Sequence, residues 1–141
     1  MTSLVIDTSV ALKWVVEERG TSEALALLRR NALIAPELLV AECSNALWKK
    51  VERKELTKPE ALFAARLLQS ARVELLPMRS LIEAATRFAI ELSHPAYDCI
   101  YIALAIENRC KVVTADARFL SKISQAQRAV IRDAVIPLAS A

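Results

Sequence analysis

The chain has 141 residues, 55% hydrophobic and 25% charged, with a formal net charge of +3 at pH 7. That is enough for one domain, 1–141, with its own core, and too apolar for a disordered segment. No run approaches the ~20 apolar residues of a membrane span. No basic stretch precedes an apolar one at the N-terminus, so a cytoplasmic protein is expected.

The chain opens with Leu4-Val5-Ile6, an apolar run that stops on Asp7. This is how a buried parallel strand reads when it delivers an acid to the edge of a sheet. Thr8 or Ser9 is expected to cap the helix that follows, with Val10, Ala11, Trp14 and Val15 inward and Gly20 past its end. A second helix is expected over 22–30, with Leu25 and Leu28 inward and Asn31 closing it in the left-handed conformation. Ala32 to Ala35, ended by Pro36, reads as the second strand. A long amphipathic helix follows over 38–53, with Leu39, Cys43, Ala46, Leu47 and Val51 on one face and Glu42 at its margin.

Thr57 and Glu60 have capping-box spacing for a helix reaching about Ala71. Val73 to Leu76 reads as a third strand, and Ser80 with Glu83 as the start of a helix reaching Leu92. Pro95 suits the first turn of another helix, apolar all round to Ile106 and therefore largely buried. Asp98 is its only charge. Lys111 to Asp116 is a fourth strand, again ending on an acid, and Asp116 can cap the helix that begins at Ala117. The tail over 129–138 adds a last strand or packs on the sheet. Strands alternating with helices predict an α/β fold, a three-layer α/β/α sandwich with a mainly parallel central sheet.

Several chemistries are poorly served. The single glycine excludes glycine-rich phosphate loops. Cys43, Cys99 and Cys110 form no CxxC, and their odd number argues against a disulfide framework. Inert buried thiols are the expectation. His94 is the only histidine; placed before Pro95, it reads as a loop or capping residue. The scattered basic groups, such as Arg29-Arg30 and Lys49-Lys50, read as solvated helix faces.

Four acids stand out by context: Asp7 and Asp116 at strand ends, Asp98 in an apolar helix, and Glu42 beside a core face. Asp7 and Asp116 could serve only as helix caps, and Glu42 as a partly exposed helix residue. Asp98 is harder to dismiss, because an unpaired carboxylate among apolar residues is costly. If the strand ends gather these acids, they raise one another's pKa, and a divalent cation resolves the repulsion. An all-oxygen set fits Mg²⁺ or Mn²⁺ rather than zinc. That points to metal-assisted phosphodiester hydrolysis.

The segments VIDTSVALKW, APELLVAECSNALWK, HPAYDCIYIALA and VVTADARFL resemble the PIN domain, particularly the VapC-type ribonuclease toxins of toxin–antitoxin pairs. The resemblance spans essentially the whole chain, in order. It implies that Asp7 and Asp98 are the main Mg²⁺ ligands, with Glu42 and Asp116 completing an acidic pocket and Asp116 joining the metal set. Ser9 and Thr114 stand as supporting residues, Thr114 as a hydrogen-bond partner for an acid or a metal water. It further implies an RNA substrate, a homodimer, and an antitoxin whose C-terminal segment covers the active-site groove. Glycines frequent in the family before the buried helix and before the last strand are absent; Ser93 and Asn108 take their places.

Three competing readings remain at this stage. A PIN-fold nuclease of RNA processing that is not a toxin fits the same residues. A phosphohydrolase or receiver using Asp7 as nucleophile lacks the second early acid, because Ser9 stands where a phosphohydrolase has one. A non-catalytic binding module would use the acids as caps. Trp14, Tyr97 and Tyr101 could stack on bases, or pack in the core.

Overall fold

The computed structural model describes residues 3–141. Among these residues five strands form one parallel sheet: β1 (Ser3–Ile6), β2 (Ala32–Pro36), β3 (Glu74–Leu76), β4 (Lys111–Thr114) and β5 (Val135–Pro137), in the order β3-β2-β1-β4-β5. Val5, Ile6, Val112 and Val113 are fully buried, which is why the inner strands read as unbroken apolar runs. The outer β3 is largely exposed.

Among the described residues eight helices connect and cover the strands: α1 (Thr8–Ala11), α2 (Thr21–Arg30), α3 (Leu38–Glu52), α4 (Lys58–Gln69), α5 (Ile82–Leu92), α6 (Ala96–Glu107), α7 (Ala117–Ser124) and α8 (Ala129–Arg132). Helices on both faces of the sheet give the three-layer α/β/α architecture expected from the alternation. α6 crosses the middle of the sheet, packed on β1, β2 and β4 with α5 beside it. Its Tyr101, Ile102 and Leu104 are at most 1% exposed, and burial of each stabilises the fold by about 1.5–3 kcal/mol. A smaller apolar cluster of Leu12, Leu47 and Ala64 joins α3 and α4 to the turn after α1.

The ends of the elements follow the sequence unevenly. The Thr57–Glu60 capping box forms as expected, with Thr57 N–H donating to Glu60 Oε1 at 2.8 Å and Glu60 N–H to Thr57 Oγ1 at 3.3 Å. Three expected caps do not form. Asp7, rather than Thr8 or Ser9, caps α1. Ser80 lies in a 3₁₀ turn over Arg79–Leu81, and α5 begins after Leu81 without a side-chain cap. Asn31 is extended at φ −130° because it leads straight into β2. The buried face of α2 is Thr21, Ala24 and Leu27, with Leu28 beside it and Leu25 outside it.

Ser93 holds φ 49° at the end of α5. The chain therefore turns there as a glycine would, with the Cβ strain that a left-handed conformation brings. At the second missing glycine the left-handed residue is Arg109, φ 54°, and Asn108 has an ordinary φ of −94°.

Candidate active site at the carboxyl edge of the sheet

From β1 the chain moves outward to β3, then returns to β4 on the other side of β1. The reversal lies between β1 and β4, and the crevice outside such a reversal is where open α/β sheets bind ligands. Ile6 pairs with Val113, so Asp7, just past β1, and Thr114, the last residue of β4, stand side by side at the edge of the sheet.

Topology brings the other acids to the same edge. α6 feeds β4 and runs back against it. From Asp98 to Glu107 a helix rises about 14 Å, enough to return Asp98 to the level where β4 ends. α3 starts directly after β2, which places Glu42 near the same edge, and Asp116 follows β4 by two residues.

Asp7 is 6% exposed. Its Oδ1 accepts from Ser9 Oγ–H at 2.6 Å and from Val10 N–H at 3.3 Å, and its Oδ2 accepts from Thr114 Oγ–H at 2.5 Å. Burial pushes its carboxyl pKa up to about 6, against the three hydrogen bonds, and the negative charge of Asp98 adds to the rise. Desolvation thus outweighs the repulsion between acids that the sequence suggested.

Thr114, fully buried, also accepts from Asp116 N–H at 3.1 Å. Ser9 accepts from Ala115 N–H at 2.8 Å. These two hydroxyls tie β1 to the turn after β4.

Glu42 is half-buried and accepts two hydroxyls on Oε1: Tyr101 at 2.5 Å and Thr8 at 3.2 Å. Tyr101 is 1% exposed, so it cannot stack on a base. Burial and the adjacent Glu42 hold its hydroxyl protonated, well above the usual phenol range. Tyr97 is exposed, and Trp14 packs inward with its Nε1–H donating to Ala24 O at 2.8 Å.

Asp98 sits in the first turn of α6, where the helix dipole favours a negative charge. Its Oδ2 lies 2.6 Å from His94 Nε2. His94 therefore does not cap α6; its ring stacks on Phe119. Asp116 is exposed and caps α7, its Oδ1 accepting from Arg118 N–H at 2.9 Å and Phe119 N–H at 3.3 Å.

Thr114 thus joins Asp7 to the turn that carries Asp116, Thr8 ties Glu42 to the residue next to Asp7, and Asp98 is close enough to act on Asp7. Sequence reasoning missed Thr8, His94 and the hydroxyl of Tyr101. The spacings of Asp98 to Tyr101 (i, i+3) and His94 to Asp98 (i, i+4) were the available signals.

Among the described residues no three His, Cys, Asp or Glu side chains converge into a ready-made metal cage. Mg²⁺ does not need one, since it keeps several waters and uses one or two carboxylates. The donor set fits such an ion: all oxygen, one acid desolvated, a second within electrostatic range. The cysteines do not compete for it. All three are free thiols, and burial pushes Cys43 and Cys99 up to about 12 and Cys110 upward.

A parallel α/β sheet with a buried acid at its reversal point, flanked by helix-borne acids, makes this edge the candidate ligand site. The chain belongs to the PIN domain family, whose model matches residues 4–124, and within it to the VapC type. It is 32% identical over 124 residues to a VapC ribonuclease of Mycobacterium bovis, covering 88% of this chain and 93% of that one. The crystal structure of PAE2754 from Pyrobaculum aerophilum shares the fold, with a TM-score of 0.72 at 21% identity over 99% of this chain and 91% of that one. So does VapBC2 from Rickettsia felis, solved bound to a DNA fragment from its promoter. Its TM-score is 0.65 at 12% identity over 96% of this chain and 98% of that one. No helix among the described residues is long and apolar enough to cross a membrane.

Proposed function

We propose that this chain is a Mg²⁺-dependent endoribonuclease, the toxin of a toxin–antitoxin pair, acting in the cytoplasm as one domain over 1–141. The observation that carries the reading is the buried carboxylate of Asp7 at the sheet's reversal point, beside Asp98, in a chain of the VapC type.

In this reading Asp7, Asp98 and Asp116 hold the cation, which Mn²⁺ can replace, and Glu42 completes the catalytic set. A bound divalent cation supplies positive charge to a phosphodiester and makes nearby water more acidic. Ser9 and Thr114 donate to Asp7, so they fix the orientation of its carboxylate and favour its ionised form. Tyr101 and Thr8 both donate to Oε1 of Glu42, which fixes that carboxylate while leaving it half-exposed to substrate.

Apolar surface supports two protein partners. A cleft of about 500 Å³ between α3 and α4 is lined by Leu39, Cys43, Leu47 and Leu68. Val40, Trp48, Phe63 and Leu67 are exposed on the same two helices, as suits an antitoxin segment. Ile82 and Ile90 are exposed on α5, with Tyr97 on α6, as suits a second copy in a homodimer.

The test is cleavage of a mixed RNA pool by the purified chain with Mg²⁺, with Mn²⁺ and with EDTA, beside Asp98→Asn. Metal-dependent cutting that Asp98→Asn loses is expected. A folded protein that neither cuts nor binds Mn²⁺ overturns the reading and leaves a binding module.

A further inference from the structure

His94 is pinned from three sides. The left-handed Ser93 ends α5 and turns the chain, and His94 N–H then donates to Ala89 O at 3.1 Å. Its ring lies on Phe119, with centroids 5.7 Å apart and planes 15° apart, and Phe119 is 1% exposed. Its Nε2 reaches Asp98 Oδ2 at 2.6 Å. An ionised carboxylate only accepts, so Nε2 carries the proton in that contact.

Without this bond Asp98 would be a short side chain in the first turn of a helix, 30% exposed, free to present either oxygen in more than one rotamer. The Phe119 on which the histidine rests also donates its N–H to Asp116 Oδ1. A single aromatic pair therefore links the settings of Asp98 and Asp116, which come from different elements.

We propose that His94 is a positioning residue: its Nε2–H holds Oδ2 of Asp98, on the platform of Phe119, so that Oδ1 is the oxygen presented to the cation. This rests on the reading of Asp98 as a metal-binding acid. Groups that hydrogen-bond a ligating side chain orient it, and their loss typically weakens metal binding by about 10–100-fold.

The experiment is calorimetric titration of Mn²⁺ into the full chain and its His94→Leu, His94→Gln and Asp98→Asn variants, with thermal unfolding in EDTA and RNA cleavage alongside. His94→Leu keeps an apolar body on Phe119 and removes the donor; His94→Gln restores an N–H. The expected result is Mn²⁺ affinity about 10–100-fold weaker for His94→Leu, largely recovered by His94→Gln. kcat should fall in the same order, while the RNA KM changes little. His94→Leu binding Mn²⁺ like the wild type overturns the proposal. So does His94→Gln being as weak as His94→Leu while both unfold like the wild type. No Mn²⁺ binding by the wild type, or equal binding by Asp98→Asn, is a different failure: it removes the metal site itself, and the proposal with it.

Discussion

Asp7→Asn should make this protein more stable in EDTA at neutral pH while removing its metal binding. Burial raises the Asp7 pKa from 3.8 to about 6. Below about pH 4 the carboxyl is protonated in both folded and unfolded chains, and burial of its charge costs nothing. Between about 4 and 6 the unfolded chain ionises while the folded one keeps its proton, so the folded state binds more protons and stability falls as pH rises. Above 6 the loss is complete. At about 1.4 kcal/mol per pH unit it amounts to about 3 kcal/mol.

Asparagine has nearly the same shape. Its carbonyl can accept from Ser9 and Val10, and its amide can donate to Thr114 Oγ. Urea and thermal unfolding in EDTA from pH 4 to 8, on wild type and variant together, measure the difference. The variant should match the wild type near pH 4 and exceed it by about 3 kcal/mol at pH 7.5, about 6–12 °C in Tm for a domain of this size. Saturating Mg²⁺ should reverse the order, since a ligand at about one thousand times its Kd adds about 4.1 kcal/mol to the wild type alone. A variant less stable than the wild type at pH 7.5 in EDTA, or a difference that does not change with pH, would refute the argument that Asp7 is held ionised at a cost.

Tyr101→Phe deletes the hydroxyl on Glu42 from a buried ring; it should cost about 1–2 kcal/mol in urea unfolding and lower cleavage at unchanged pH and metal. Thr57→Ala breaks the capping box of α4 and should cost about 1 kcal/mol, with RNA cleavage and Mn²⁺ affinity unchanged. Arg109→Gly relieves a left-handed side chain at φ 54°; the steric gain outweighs the added freedom of the unfolded chain, for a net increase of about 0.5–1 kcal/mol in stability.

The order of strands and helices was legible because both periods are local: apolar runs ending on Asp7 and Asp116 mark strands, and the unbroken apolarity over 96–106 marks a buried helix. The Thr57–Glu60 box was legible for the same reason, since all its partners lie within one turn. The acids could be picked out one by one from their immediate neighbours. Their relation to one another was not written in any window of sequence. It follows from the strand order β3-β2-β1-β4-β5, which sets β4 beside β1.

Which hydroxyl serves which acid also depended on that arrangement. Thr114 meets Asp7 across 107 positions, and Tyr101 meets Glu42 across 59. His94 read as a loop residue because the ring stack on Phe119 that holds it exists only once α6 and α7 are packed, although its nitrogen reaches Asp98 only four residues on. Composition and periodicity decided that this chain folds as a layered α/β protein with acids at its strand ends. Tertiary packing alone decided that one of those acids would be buried, and which neighbours hold each carboxylate, because desolvation and hydrogen bonding depend on distance in space rather than along the chain.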